Sequence, residues 1–386
     1  MKKTIKYYFE IEGLRGIACL IVLLGHSVAC IFPTIYFGNT YVEHSVFEKF
    51  IHATPFNLLF NGSAMVMFFF IISGYLMGGK TNHRSVVDFS VERYIRYFPM
   101  IIMGIILGAF VMRLGVVYSI KLADYSYAGN YVGLYNNFTP SIIGKNGIIV
   151  ESFIKVFLVG SNYNSVLWYI SVSYIGEIVL TAILNFAKNK KLRIVVMSIL
   201  TIVFWIVGTK IWQFQYLSGL TIGILIATLK IEINKVKSMM CFVLGIVLLS
   251  FEKNSPMGVY LFLQKIPQYI VPIWSVGGGL VMIGIIFNST LSDIFSNKKL
   301  MWFGKYSFSI YAVQWPIIIS ISCGVCYKLV KYGIDYNFAG WCGILSGIIF
   351  TIILAIIVYK WWYVPFYRKL IYIWHNFKEK RIITKE

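Results

Sequence analysis

Apolar runs of about 20 residues recur along the whole chain, and each is long enough to cross about 30 Å of hydrocarbon as a helix. A bilayer offers no hydrogen bonds to exposed backbone, so only helices or closed barrels span it. Continuous apolar runs, without the strict alternation of a barrel strand, select helices. A hydrophobic fraction of 58% and a mean hydropathy of +0.74 over 386 residues exclude a soluble globule. The expected fold is all-α, a polytopic membrane protein with about ten transmembrane helices. They fall at 14–33, 57–78, 98–118, 166–187, 193–211, 214–230, 238–252, 269–288, 307–328 and 340–360, the seventh being the shortest.

A net charge of +20 could suggest a nucleic-acid partner, but its distribution does not. Lys and Arg gather in alternate inter-span segments: around Lys2 and Lys3, Arg93 and Arg96, Lys188 to Arg193, Lys298 to Lys305, and Lys378 to Arg381. The positive-inside rule places those segments, and both termini, in the cytoplasm, so no nucleic acid is expected. Residues 1–33 resemble a secretory signal only superficially. Glu10 and Glu12 intrude ahead of the apolar run and further spans follow, so an uncleaved first helix in a cell membrane is expected. The chain reads as a single membrane-embedded domain over 1–386, with 361–386 as a cytoplasmic amphipathic basic tail and no appended soluble domain.

The six cysteines lie in or beside the spans. Cys323-Gly-Val-Cys326 has redox-motif spacing, yet it sits in an apolar helix, so thiols acting as small hydrophobes are the expected reading. No zinc-ligand spacing, phosphate loop or dinucleotide fingerprint is present, and no metal is expected.

Chemistry-bearing residues stand out against the apolar background. His26 is the one histidine inside a span, eleven residues after Arg15. Eleven steps of about 100° make nearly three turns, so the two share a helix face roughly 16 Å apart. An imidazole moves protons near neutral pH, and a titratable group within a bilayer usually faces a cavity. Arg93 and Arg96, spaced i, i+3, could grip phosphate oxygens together or serve as membrane anchors. Glu177 is the one carboxylate well inside a span, a turn beyond Ser173, and needs a cation such as Arg15 or another across the bundle. Ser73 and Gly74 either let helices approach closely or leave room for a ligand. Tyr311 and Gln314 share a face ahead of Pro316. The Tyr- and Asn-rich stretch from Tyr125 to Phe138 suits either stacking on sugar rings or an interfacial aromatic belt.

Five stretches carry a resemblance when taken in order. They are Leu14-Arg15-Gly16-Ile17-Ala18 with His26, Phe69-Phe70-x-x-Ser73-Gly74-Tyr75, Arg93-x-x-Arg96-x-x-Pro99, Leu167-Trp168-x-x-Ser171, and Gly304-x-x-Ser307-Phe308-x-x-Tyr311. Together they resemble the acyltransferase-3 family of integral membrane acyltransferases, from Gly13 to the tenth span. The resemblance implies transfer of an acyl group, usually acetyl, from cytoplasmic acetyl-CoA to a hydroxyl of an extracytoplasmic or lipid-linked saccharide. It makes His26 the general base, with Arg15 as its electrostatic partner, and makes Arg93 and Arg96 donor-binding. Glu177 is expected to join the catalytic group in place of the family's glutamate, Ser73 and Gly74 to lie at the donor, and Trp168, Ser173, Tyr311 and Gln314 at the acceptor. Two positions depart from the pattern: Ser173 stands where the family commonly has Glu, and Gln314 where it often has His. Gln can donate and accept hydrogen bonds but carries no proton between pH 5 and 8. The rival readings are a transporter or flippase of a lipid-linked saccharide and a non-catalytic partner in polysaccharide assembly.

Overall fold

The computed structural model of the chain describes residues 8–38, 43–79, 85–126, 151–158, 160–229, 231–252 and 270–383. His83, the aromatic stretch 127–150 and the loop 253–268 lie outside the described residues.

In chain order the helices are α1 (Phe9–Ile31), α2 (Pro33–Phe37), α3 (Val46–Ala53), α4 (Gly62–Gly78), α5 (Val86–Arg113) and α6 (Tyr118–Ser126). Next come α7 (Trp168–Phe186), α8 (Lys190–Val207), α9 (Trp212–Leu229), α10 (Lys235–Leu249), α11 (Ile270–Ile286) and α12 (Ser289–Phe295). The last four are α13 (Lys298–Ile317), α14 (Cys323–Lys331), α15 (Tyr336–Val358) and α16 (Val364–Ile383). A π turn, Ile318–Ser322, joins α13 to α14, and another, Tyr359–Tyr363, joins α15 to α16. No strand occurs among the described residues. Asparagines start many of these helices. The carboxamides of Asn61, Asn189, Asn234, Asn288 and Asn297 each accept an N–H from the first turn that would otherwise have no acceptor.

Among the described residues, five helices are long and apolar enough to cross a bilayer, or six if α11 and α12, bent by 101° at their junction, form one span. α4 is a shorter apolar helix. Each stretch read as a span falls mainly on helix, although the ends differ. α5 begins at Val86 and α13 at Lys298, well ahead of the expected 98 and 307, while α4 begins only at Gly62, after a 3-10 turn at Pro55–Leu59. The outward faces of α8 (Ile199, Ile202, Ile206), α10 (Val243, Leu244, Val247) and α15 (Ile349, Ile353, Ile357) are exposed and apolar. Such a belt is favourable only against lipid. This is a multi-pass membrane protein.

α1 runs through the centre, packed against α4 and α13. α4 in turn packs on α9 and α11, with α8 on α9 and α10 on α11 further out. Polar side chains tie the helices across the bundle. Asn164 donates to the carbonyls of Ala312 at 2.7 Å and Gly104 at 3.4 Å, and Thr201 meets Thr221 at 2.6 Å. Such bonds hold helices together where lipid removes the hydrophobic drive for association.

The two ends of the bundle differ. One gathers the starts of α1, α5 and α13 with their Arg and Lys residues; we call it the basic end. Here α16 continues α15 and docks on α5: Trp362 Nε1 donates to Pro99 O at 2.6 Å, and Lys378 pairs with Asp88 at 2.6 Å. The stretch read as an amphipathic basic tail thus makes specific contacts with α5. The opposite end carries α2, α3, α6 and the junction of α14 with α15. There the His44 ring stacks on Tyr336 at 3.8 Å, and Asn337 donates to His44 O at 3.0 Å.

Candidate active site

The seam between α1 and α13 sets the site. Gly16 faces the Leu300 carbonyl so closely that an added Cβ would stand 2.3 Å from its oxygen. A Cβ on Gly304 would stand 1.9 Å from Glu12 O. The glycines let the two backbones touch, which fixes the register of every side chain further along. Cys19 donates to Ser307 O at 3.3 Å in the next turn. At the basic end of the seam Arg15 pairs with Glu12 at 3.3 Å, both partly exposed. At its deep end the His26 ring meets the buried indole of Trp315 edge-on at 5.9 Å.

Gln314 stands beside His26 and is fully buried. The geometry closes no hydrogen bond between them, so His26 Nδ1 and both Gln314 amide atoms have no partner among the described residues. An unmet buried polar group costs about 1–3 kcal/mol, so two together mark a place built for a polar group to enter. His26 itself is only partly buried.

Glu177 finds its cation in Arg93, 2.9 Å away, rather than in Arg15. The carboxylate has no exposed surface and also accepts from Ser173 Oγ at 3.3 Å. The hydroxyls of Tyr97 and Tyr169 approach the same serine. Arg93 and Arg96 line the same cavity but differ in setting. Arg93 is held inside by Glu177, with the Phe89 ring 5.1 Å beneath it, while Arg96 is exposed.

A cavity of about 110 Å³ lies between these groups. Arg15, Ser73, Arg93, Arg96, Tyr169 and Tyr311 line it, with Val66, Phe69 and Ile72 as an apolar wall. It shares Arg15, Arg96 and Phe308 with a wider vestibule of about 570 Å³ at the basic end. Lys298 and Lys305 add two more cations there, with Trp302, Tyr359 and Tyr363 as aromatic walls. Lys305 lies 5.6 Å from the Tyr306 ring and 5.7 Å from that of Tyr359. Four cations against Glu12 make this mouth an anion trap.

The deep end of the inner cavity is Tyr311, whose hydroxyl donates to Val166 O. His26 and Gln314 do not line the cavity; they form the next layer, a turn beyond Tyr311. Two other sequence candidates stand apart. Gly74 abuts the α9 backbone, where an added Cβ would lie 2.0 Å from Leu220 O, so it serves helix contact. Trp168 packs between Trp212 and Tyr216 at 4.7 and 5.2 Å. Sequence reasoning missed Lys298, Lys305, Tyr97 and Tyr169. The lysines looked like topology signals alone, and Tyr97 had only its place beside Arg96 to betray it.

No curated protein and no solved structure matches the chain. The family model described as an acyltransferase domain matches residues 8–360, nearly its whole length and every residue of this site except Tyr363. The chain belongs to the acyltransferase-3 family of membrane acyltransferases.

Proposed function

We propose that this protein moves an acetyl group from acetyl-CoA, bound at the basic end, to a hydroxyl of an extracytoplasmic or lipid-linked saccharide, in the cell membrane. One observation carries the reading. A vestibule with four cations narrows into an interior cavity that stops one turn short of the His26 imidazole, whose Nδ1 is left without a hydrogen bond among the described residues. The same charge asymmetry supports about ten spans with the basic end and both termini in the cytoplasm.

Arg15, Arg96, Lys298 and Lys305 would meet the donor's phosphates, and Trp302, Tyr359 and Tyr363 offer rings for its adenine to stack upon. Arg93, fixed by Glu177, keeps a positive charge inside the narrow cavity, near a developing oxyanion. A volume of about 110 Å³ suits a short acyl group better than a long one. In the reaction, His26 takes the proton of the acceptor hydroxyl as its oxygen attacks the thioester carbon. The C–O bond forms, the C–S bond breaks, and the CoA thiolate leaves through the vestibule. Gln314 holds the acceptor by donating and accepting hydrogen bonds, which needs no proton exchange of its own.

Vesicles containing the protein, labelled acetyl-CoA on the basic side and the saccharide acceptor test the reading. Wild-type protein should leave label on the saccharide as ester. His26→Ala, at equal protein level, should leave none while saccharide distribution across the membrane is unchanged. Loss of saccharide passage with ester per saccharide unaffected would instead make the protein a transporter.

A further inference from the structure

Pro316 interrupts α13 directly behind the two residues that stand against His26. A proline carries no N–H, so the carbonyl of Ala312, four residues earlier, has no i+4 donor in its own helix. The turn left open by that missing bond is the one that carries Gln314 and Trp315. Ala312 has no exposed surface, so solvent does not satisfy the carbonyl either. Beyond Pro316 the helix widens into the π turn Ile318–Ser322, where Ser320 Oγ donates to Pro316 O at 2.5 Å.

Asn164 supplies the missing donor from outside the helix. Its Nδ2 donates to Ala312 O at 2.7 Å and, at 3.4 Å, to Gly104 O on α5. Both neighbours are carbonyls, so only the amide nitrogen can face them, and Oδ1 is turned away with no partner among the described residues. An unmet buried oxygen costs stability, so the donor is what the amide is held there for. The strap that carries Asn164 is itself fixed. Asn164 N donates to Ser161 Oγ at 3.3 Å, and Asn164 O accepts from Leu167 N at 3.1 Å. Two glycines of α5 make room for it: a Cβ on Gly104 would stand 2.7 Å from Ala312 O, and one on Gly108 2.0 Å from Tyr163 O. The Tyr311 hydroxyl returns a bond from α13 to Val166 O. Two adjacent residues of α13 are thus stitched to this strap, one accepting and one donating.

We infer that Asn164 is a positioning residue: its amide replaces the backbone bond that Pro316 removes, and so holds Gln314 and the Trp315 ring in place against His26. It acts through α13 rather than on the reacting groups. A leucine of similar size would fill the same space and donate nothing. The importance of His26 and Gln314 to acyl transfer rests on the reading above; the splice in α13 does not.

The test compares Asn164→Leu in the parental sequence with the same substitution in a Pro316→Ala background, where residue 316 regains an N–H for Ala312 O. Two quantities are read on full-length protein in detergent. One is the rate at which diethyl pyrocarbonate modifies His26 well below the unfolding temperature, mapped by mass spectrometry; the other is the thermal unfolding midpoint. Neither needs acyl transfer, so a failure of that reading leaves both intact. In the parental sequence Asn164→Leu should lower the midpoint by several degrees and raise the His26 rate several-fold, as Trp315 loosens over the ring. In the Pro316→Ala background it should change both far less, the mark of two groups serving one carbonyl. Should Asn164→Leu alone yield no folded protein, recovery of folded protein in the double variant is the expected result. Equal effects in the two backgrounds, an unchanged His26 rate in the single variant, or no folded protein from the double variant overturns the inference.

Discussion

Glu177 has no exposed surface, and the Arg93 guanidinium 2.9 Å away is what makes its burial tolerable. Removing one partner leaves the other charge alone in a low dielectric, which typically costs about 3–5 kcal/mol. Glu177→Gln should therefore lower the thermal unfolding midpoint in detergent by several degrees, while Arg93→Met combined with Glu177→Leu recovers most of the loss. A single variant as stable as the parent would contradict this placement. Gln314 presents the opposite balance, for its amide is buried without partners at a cost to stability. Gln314→Leu should keep or raise the unfolding midpoint, yet slow transfer by about 10–100-fold, the equivalent of about 1–3 kcal/mol. Equal losses in stability and rate would point to a packing role alone. The sequence made His26, Arg15 and Glu177 visible because charge is rare within apolar spans. It could not show which cation Glu177 takes, since nothing in helical spacing relates α7 to α5.

At the scale of elements, helix existence was legible and helix ends were not. Hydropathy places the third span at 98–118 because Glu92, Arg93 and Arg96 look like water-facing residues. The helix instead starts at Val86, with Ser85 accepting from Asp88 N and Arg93 finding its partner inside the bundle. Charge paired across helices extends a buried element beyond the point where composition alone would end it. The tail's aromatic and basic pattern suits a membrane surface, and Trp362 and Lys378 also find specific partners on α5, which the pattern alone does not show. One tight joint is the glycine contact of α1 with α13, where backbone rather than side chain fills the gap. Gly304→Leu should force these helices apart, so that little folded protein survives detergent extraction and size-exclusion chromatography. A normal elution profile with unchanged stability would show that the seam is looser than described. Overpacking of this kind usually costs about 1–3 kcal/mol or more.

For the whole molecule, the charge distribution that reads in the sequence as topology also shapes the site. Lys298 and Lys305 sit with Arg15 and Arg96 around one mouth, a convergence from three separate helices. Lys298→Glu with Lys305→Glu should weaken acetyl-CoA binding by at least about tenfold and flatten its dependence on ionic strength. An unchanged dissociation constant would move the donor elsewhere. The central claim is that the vestibule binds the donor and the His26 layer performs the chemistry. Acetyl-CoA binding and acyl transfer measured on the same purified His26→Ala protein test it most directly. The account predicts a dissociation constant within about twofold of the parent, a difference of about 0.4 kcal/mol, and no transfer above background. Transfer at the parental rate, or loss of donor binding together with transfer, would contradict it.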